Sequence, residues 1–176
     1  MPNYRFNVLN ILLVDDSKSM RSLIRVILQA WGITNIYEAE NAETAFNRLK
    51  EFAIDVILVD IMMKPMNGIE FTKQVRNSED SADPFVPIIV VSGYTERERV
   101  LAARDAGANE VMTKPITAKA LYSRLVEVIE HPRPFVRTPD YFGPDRRRGQ
   151  DRNYDGPERR VAAPGTGIIK GGRVGS

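Results

Sequence analysis

Short apolar runs in this 176-residue chain end, one after another, in side chains able to handle charge. Ile11-Leu12-Leu13-Val14 leads into Asp15-Asp16, the run 54–59 into Asp60, the run 86–91 into Ser92, and the run 110–113 into Lys114-Pro115. Singly, each has a structural explanation, because an Asp or Ser after a strand commonly caps a helix or makes a turn, and Lys-Pro is a turn dipeptide. Their recurrence at the same end of each run, interrupting none of them, points to one shared site. Three carboxylates within about 4–6 Å repel by roughly 4 kcal/mol per pair at an effective dielectric near 20. Either one is protonated or a cation sits among them. The chain has no cysteine and one histidine, His131, so the ligands on offer are oxygens. Such a set favours Mg²⁺, which takes one or two carboxylates, waters and phosphate oxygens. The lysine and the hydroxyl supply donors for an anion in the same pocket. A metal-neutralised carboxylate facing an anion-binding ammonium describes a site for phosphorylation on aspartate.

Placing those residues together requires a parallel sheet, and the pattern predicts one. Ser17 caps a helix with Met20, Leu23, Ile24, Ile27, Leu28 and Trp31 at a 3.6-residue period, stopped by Gly32. A strand over 35–39 precedes a helix capped by Asn41, and a further helix follows Asn67-Gly68. Thr95 and Glu98 read as a capping box opening a helix that stops at Gly107, and Thr117 caps the next, with Leu121, Leu125, Val128 and Ile129 on one side. Five strands alternating with five helices mean right-handed crossovers and an α/β fold with both sheet faces covered. In such sheets ligands bind beyond the carboxyl ends of the strands.

Composition divides the chain at Glu130/His131. Residues 1–130 hold 15 Lys/Arg and 18 Asp/Glu, whereas residues 131–176 hold 10 and 5, with 6 of the 11 prolines and 8 of the 12 glycines. The expectation is an acidic folded domain over 1–130 and a basic Pro/Gly/Arg-rich tail over 131–176 that is extended, largely disordered and without a core of its own. No apolar run approaches the roughly 20 residues that span a bilayer, and the first residues lack a signal-peptide pattern. A cytoplasmic protein with no membrane partner is expected.

The motifs Leu13-Val14-Asp15-Asp16-Ser17, Val59-Asp60 with Met63, Met66, Asn67 and Gly68, Val90-Val91-Ser92-Gly93 and Thr113-Lys114-Pro115 together resemble the receiver domain of two-component response regulators. The resemblance covers about residues 9–130 and implies a flavodoxin-like sheet in the order 2-1-3-4-5. It implies that Asp60 accepts a phosphoryl group from a histidine kinase, a phosphotransfer protein or a small acyl phosphate. Asp16, Asp60 and the backbone carbonyl of Met62 would hold Mg²⁺, with Asp15 helping through water. Lys114 would bind a phosphoryl oxygen or pair with Asp60, Ser92 would be the switch hydroxyl, and Lys114-Pro115 would be cis. Such a protein is a signalling switch rather than an enzyme, although it catalyses its own phosphorylation and hydrolysis. It would engage a downstream target through the face of helix 4, strand 5 and helix 5. Two positions depart from the family pattern. Val111 stands where an aromatic ring usually moves with the switch, and Lys64 replaces the usual proline four residues after the phosphoacceptor, with Pro65 one place later.

The tail contains a duplication. Tyr141-Phe142-Gly143-Pro144-Asp145-Arg146-Arg147 recurs as Tyr154-Asp155-Gly156-Pro157-Glu158-Arg159-Arg160. The alternative to a solvated linker is a docking segment, in which Tyr141 and Tyr154 anchor while Arg146, Arg147, Arg159 and Arg160 recognise acidic or phosphate groups. A rival reading is a transcription regulator binding DNA through these arginines. Interspersed acids and the lack of a groove-reading element argue against nucleic acid. A second rival, an aspartate-phosphate hydrolase, resembles enzymes with a second Asp two residues after the nucleophile, where this chain has Met62.

Overall fold

The computed structural model describes residues 5–93, 97–147 and 167–169. Five strands, β1 (Asn10–Val14), β2 (Asn35–Ala39), β3 (Val56–Asp60), β4 (Ile88–Ser92) and β5 (Glu110–Thr113), pair in parallel in the order β2-β1-β3-β4-β5. Five helices intervene: α1 (Lys18–Ala30), α2 (Ala42–Glu51), α3 (Gly68–Asn77), α4 (Arg97–Ala106) and α5 (Ala118–Glu130). This is the doubly wound, flavodoxin-like α/β sheet expected from the sequence.

Alternation along the strands divides the core in two. Leu12, Val14, Ile57, Val59, Ile88 and Val90 point to one side with Ala45 and Leu49 of α2, Phe71 and Val75 of α3 and Ala103 of α4. Their neighbours Ile11, Leu13, Leu58, Ile89 and Val91 point to the other, with Ile24 and Leu28 of α1 and Leu121, Leu125 and Val128 of α5. Leu23, placed by its period on the inward stripe of α1, is instead 46% exposed.

Local chemistry starts and stops these helices. The Ser17, Asn41, Asn67 and Thr117 side chains accept N–H bonds from Met20, Thr44, Glu70 and Ala120, each satisfying a donor that the first turn leaves unpaired. Gly32 ends α1 at φ 81°, a left-handed conformation that costs glycine little. The capping box expected at Thr95 involves a residue outside the described ones.

The chain does not leave the domain at Glu130: of the expected core-less tail, residues 131–147 lie against the domain, and 148–166 and 170–176 are outside the described residues. A hairpin of β6 (Phe135–Thr138) and β7 (Tyr141–Pro144) packs on α3 and α4, and the segment β8 (Gly167–Ile169) pairs with the other edge of β6. Phe135 and Phe142 are each only 3% exposed, with ring centroids 5.0 and 5.4 Å from that of Phe85. The segment's Pro and Gly deny it an independent core, but its two phenylalanines bury against each other and Phe85 of the larger domain. Gly143 allows the approach, since a Cβ there would lie 2.9 Å from the Gly107 Cα. Below the hairpin, the fully buried Arg76 donates to Gly107 O, Pro84 O and Asn109 Oδ1 at 2.8–2.9 Å. Arg133 and Arg124 converge on the buried Glu110 carboxylate, tying the root of the hairpin to β5 and α5.

Candidate functional site

The strand order makes β1, β3, β4 and β5 consecutive neighbours, so their carboxyl ends share one rim. Asp15 and Asp16 follow β1, Asp60 and Ser92 are the last residues of β3 and β4, and Lys114 follows β5. Carboxylate oxygens of Asp15, Asp16 and Asp60 lie within 4.8 Å of one another. Asp15 and Asp60 are buried at 3% exposure, while Asp16 is open to solvent. The Lys114 ammonium stands 3.2 Å from Asp60 Oδ1, an ion-pair distance, and no well-aligned hydrogen bond reaches that buried oxygen among the described residues. The Ser92 hydroxyl group belongs to a fully buried residue whose carbonyl accepts from Lys114 N at 2.8 Å. The Lys114-Pro115 bond is cis, as the family resemblance implies, and so is Lys64-Pro65.

Electrostatics set this rim apart from an ordinary surface cluster. Burial pushes the Asp60 carboxyl above its usual range; Lys114 opposes the shift and the Asp16 charge adds to it. Burial also raises Asp15, against the N–H bond its carboxylate accepts from Ser17 at 2.8 Å, with the Asp60 charge adding to the rise. Three crowded carboxylates fit a hard divalent cation by position and by donor chemistry.

The β3–α3 loop is held against this site by close contact. A Cβ on Gly68 would lie 2.3 Å from Asp60 O, so the backbone approach requires glycine. Gly68 N donates to Ile61 O at 2.9 Å, and Asn67 and Glu70 form a reciprocal capping box just beyond. Gly68→Ala should therefore cost about 1–3 kcal/mol in denaturant unfolding, because backbone atoms would have to move to admit the methyl group. Met62 sits in this loop, half-exposed, with its Sδ 3.4 Å from Arg99 Nη1.

Asp15, Asp16, Asp60 and Lys114 thus meet, and Ser92 stands on the same rim through its backbone bond to Lys114. Tyr141, Arg146 and Arg147 do not join them. Arg146 pairs with Asp105 and stacks over the Tyr141 ring at 4.5 Å, and Arg147 pairs with Asp145 at 2.7 Å. These three make ion-pair and ring contacts within the chain. Tyr154, Arg159 and Arg160 lie outside the described residues. One neighbour of the site went unread: Arg21 Nη1 donates to Asp15 O at 2.6 Å. An arginine on an amphipathic helix reads as a solvated face, and its spacing from Asp15 carries no motif.

A family model described as the response regulator receiver domain matches residues 11–126, which stops short of the hairpin. The chain is similar to chemotaxis protein CheY-3 of Vibrio cholerae, 32% identical over 122 residues, or 69% of this chain and 92% of the relative. Similarity to chemotaxis protein CheY of Pseudomonas aeruginosa is also 32% over 122 residues, covering 69% of this chain and 97% of the relative. Among solved structures, Vibrio cholerae CheY4 at low pH aligns with a TM-score of 0.63 and 31% identity, over 68% of this chain and 98% of that one. With the family model matching residues 11–126 and these relatives covered over nearly their whole length, the chain belongs to the response regulator receiver domain family.

Proposed function

We propose that the chain is a Mg²⁺-dependent phosphoacceptor switch of a two-component phosphorelay, with Asp60 taking the phosphoryl group. The observation that carries this reading is the buried Asp60 carboxylate, which has the Lys114 ammonium 3.2 Å from its Oδ1 and an oxygen within 4.8 Å of two further carboxylates. Asp15, Asp16, Asp60 and the Met62 carbonyl would hold Mg²⁺. When bound, the cation supplies charge neutralisation for the carboxylates and for the incoming phosphoryl oxygens.

The chain's own groups do the rest. An Asp60 carboxylate oxygen bonds to phosphorus as the bond from phosphorus to a donor histidine nitrogen, or to an acyl oxygen, breaks. Lys114 then shifts its charge from the carboxylate to a phosphoryl oxygen, and the Ser92 hydroxyl bonds another. Phosphoryl transfer asks little covalent chemistry of a protein beyond positioning and charge, and these residues supply both. Loss of the Lys114–Asp60 pair on phosphorylation is the local event a switch would read. Val111, half-buried on β5, offers no ring to follow Ser92. Histidine kinases or phosphotransfer proteins fit as donors, and a protein target on the α4, β5 and α5 face fits as the recipient. The switch would work in the cytoplasm; no helix among the described residues is long and apolar enough to cross a membrane. The receiver unit would include the hairpin and extend to about residue 147.

Incubation with a small acyl phosphate and Mg²⁺, followed by intact-mass spectrometry, tests this. One phosphoryl group should appear per chain and should disappear when the cation is chelated. Full labelling under chelation would remove the cation from the reading, and no labelling with Mg²⁺ present would remove Asp60.

A further inference from the structure

We propose that Arg21 is a positioning residue for the cation site, acting through the backbone that joins Asp15 to Asp16. The inference rests on the phosphoacceptor reading above. Each polar group of Asp15 is held. Its N–H donates to Ala39 O on β2 at 3.1 Å, its carboxylate accepts from Ser17 N at 2.8 Å, and its carbonyl accepts from Arg21 Nη1 at 2.6 Å. That carbonyl belongs to the peptide plane linking the two acids. Its orientation sets the direction in which Asp16, the exposed carboxylate of the three, leaves the chain.

The guanidinium is fixed in turn. Arg21 Nε donates to Glu38 Oε2 at 3.3 Å, and the other oxygen of Glu38 accepts from Arg25 Nε at 2.8 Å. Burial would raise the Glu38 carboxyl, but Arg25 and Arg21 together hold it below its usual range, so it stays ionised and anchors both. The Arg21 side chain is only 12% exposed. A fork with one arm on a carboxylate and the other on a carbonyl is a geometry lysine cannot reproduce. The bland alternative is a staple between α1 and β2 that contributes to folding alone. It leaves cation affinity untouched, and this separates the two.

Outer partners of metal ligands typically govern affinity by about 10–100-fold. Calorimetric titration with Mg²⁺ alone, beside a thermal melt of each variant, is the test. Arg21→Ala should raise the Mg²⁺ Kd about tenfold. Arg21→Lys should fall between Arg21→Ala and the parent, since an ammonium can reach the carbonyl but lacks the second arm. Glu38→Gln, which leaves Arg21 present but less firmly held, should raise Kd by a smaller factor. An Arg21→Ala protein that melts cooperatively and binds Mg²⁺ within twofold of the parent would overturn the proposal. If Arg21→Ala does not fold, unchanged affinity in both Arg21→Lys and Glu38→Gln overturns it instead. A parent that binds no Mg²⁺ would bring down the cation site itself, an outcome visible before any variant is compared.

Discussion

In Mg²⁺-free buffer, Asp60→Asn should melt at a higher temperature than the parent while taking up no phosphate at all. The loss of labelling follows from removing the nucleophilic oxygen. The gain in stability follows from the electrostatics of the crowded carboxylates. Asp60 is buried and two more carboxylates crowd it, so its ionised form is a cost that Lys114 offsets only in part. Because the Lys114 ammonium at 3.2 Å offsets part of that cost, the gain should be small, about a few degrees in a protein of this size. The sign of the pH dependence agrees. Because burial raises the folded pKa of Asp60 and of Asp15, their favourable contribution is complete below the unfolded value and is lost as pH rises through the folded one. The stability advantage of Asp60→Asn should therefore be largest near neutrality and shrink on acidification. Mg²⁺ should reverse the order by binding the folded parent preferentially. Thermal melts of both proteins at two pH values, with and without the cation, check each part. An Asp60→Asn protein that melts several degrees lower without Mg²⁺ would show that the Lys114 pair outweighs the crowding.

What the sequence disclosed and what it hid both have physical reasons. The sheet was legible because parallel strands covered on both faces must be continuously apolar, so β3 and β4 stand out as unbroken runs. Ser17, Asn41, Asn67 and Thr117 marked helix starts because few side chains can accept a bond from the first turn. The rim was legible for the converse reason: Asp15, Asp16, Asp60, Ser92 and Lys114 are polar where each apolar run ends. The hairpin was hidden because its signal is not local. Phe135 and Phe142 bury against Phe85 and above Arg76, residues 50 or more positions away in the chain, whereas a compositional average over the tail registers only proline, glycine and arginine. Arg76 and Arg21 were unreadable on the same ground. A buried arginine and a solvated one occupy helices with the same spacing, and only the fold shows which carbonyls their guanidiniums meet.

A chain cut after Glu130 should melt well below the full protein, by 10 °C or more, yet still accept phosphate when assayed cold. The hairpin carries two almost fully buried phenylalanines, and a Phe→Ala change at a buried site costs about 3–5 kcal/mol. It also covers Arg76. That guanidinium, pulled down by burial to about 9, remains charged at neutral pH and lies 5.0 Å from the Phe135 ring centroid. Removing the hairpin opens the Gly107 turn, the Glu110 cluster and the Phe85 ring to water together. The residues at the strand ends all precede position 115, so the chemistry itself should survive where the domain stays folded. Point variants separate packing from mere chain length. Phe142→Ala should lower the melting temperature by roughly 10 °C, from the same packing cost. Gly143→Ala should also destabilise, because its new methyl carbon would sit 2.9 Å from Gly107 Cα and 2.6 Å from the Tyr141 hydroxyl oxygen. Arg147→Ala, whose partner Asp145 is its near neighbour on an exposed stretch, should change stability by less than about 1 kcal/mol. Calorimetry of the full chain, the truncation and these three variants gives the ranking. Equal melting of truncated and full-length protein would mean that the hairpin rests on the domain without stabilising it, and that Phe135 and Phe142 gain as little from burial as the composition of the tail first suggested.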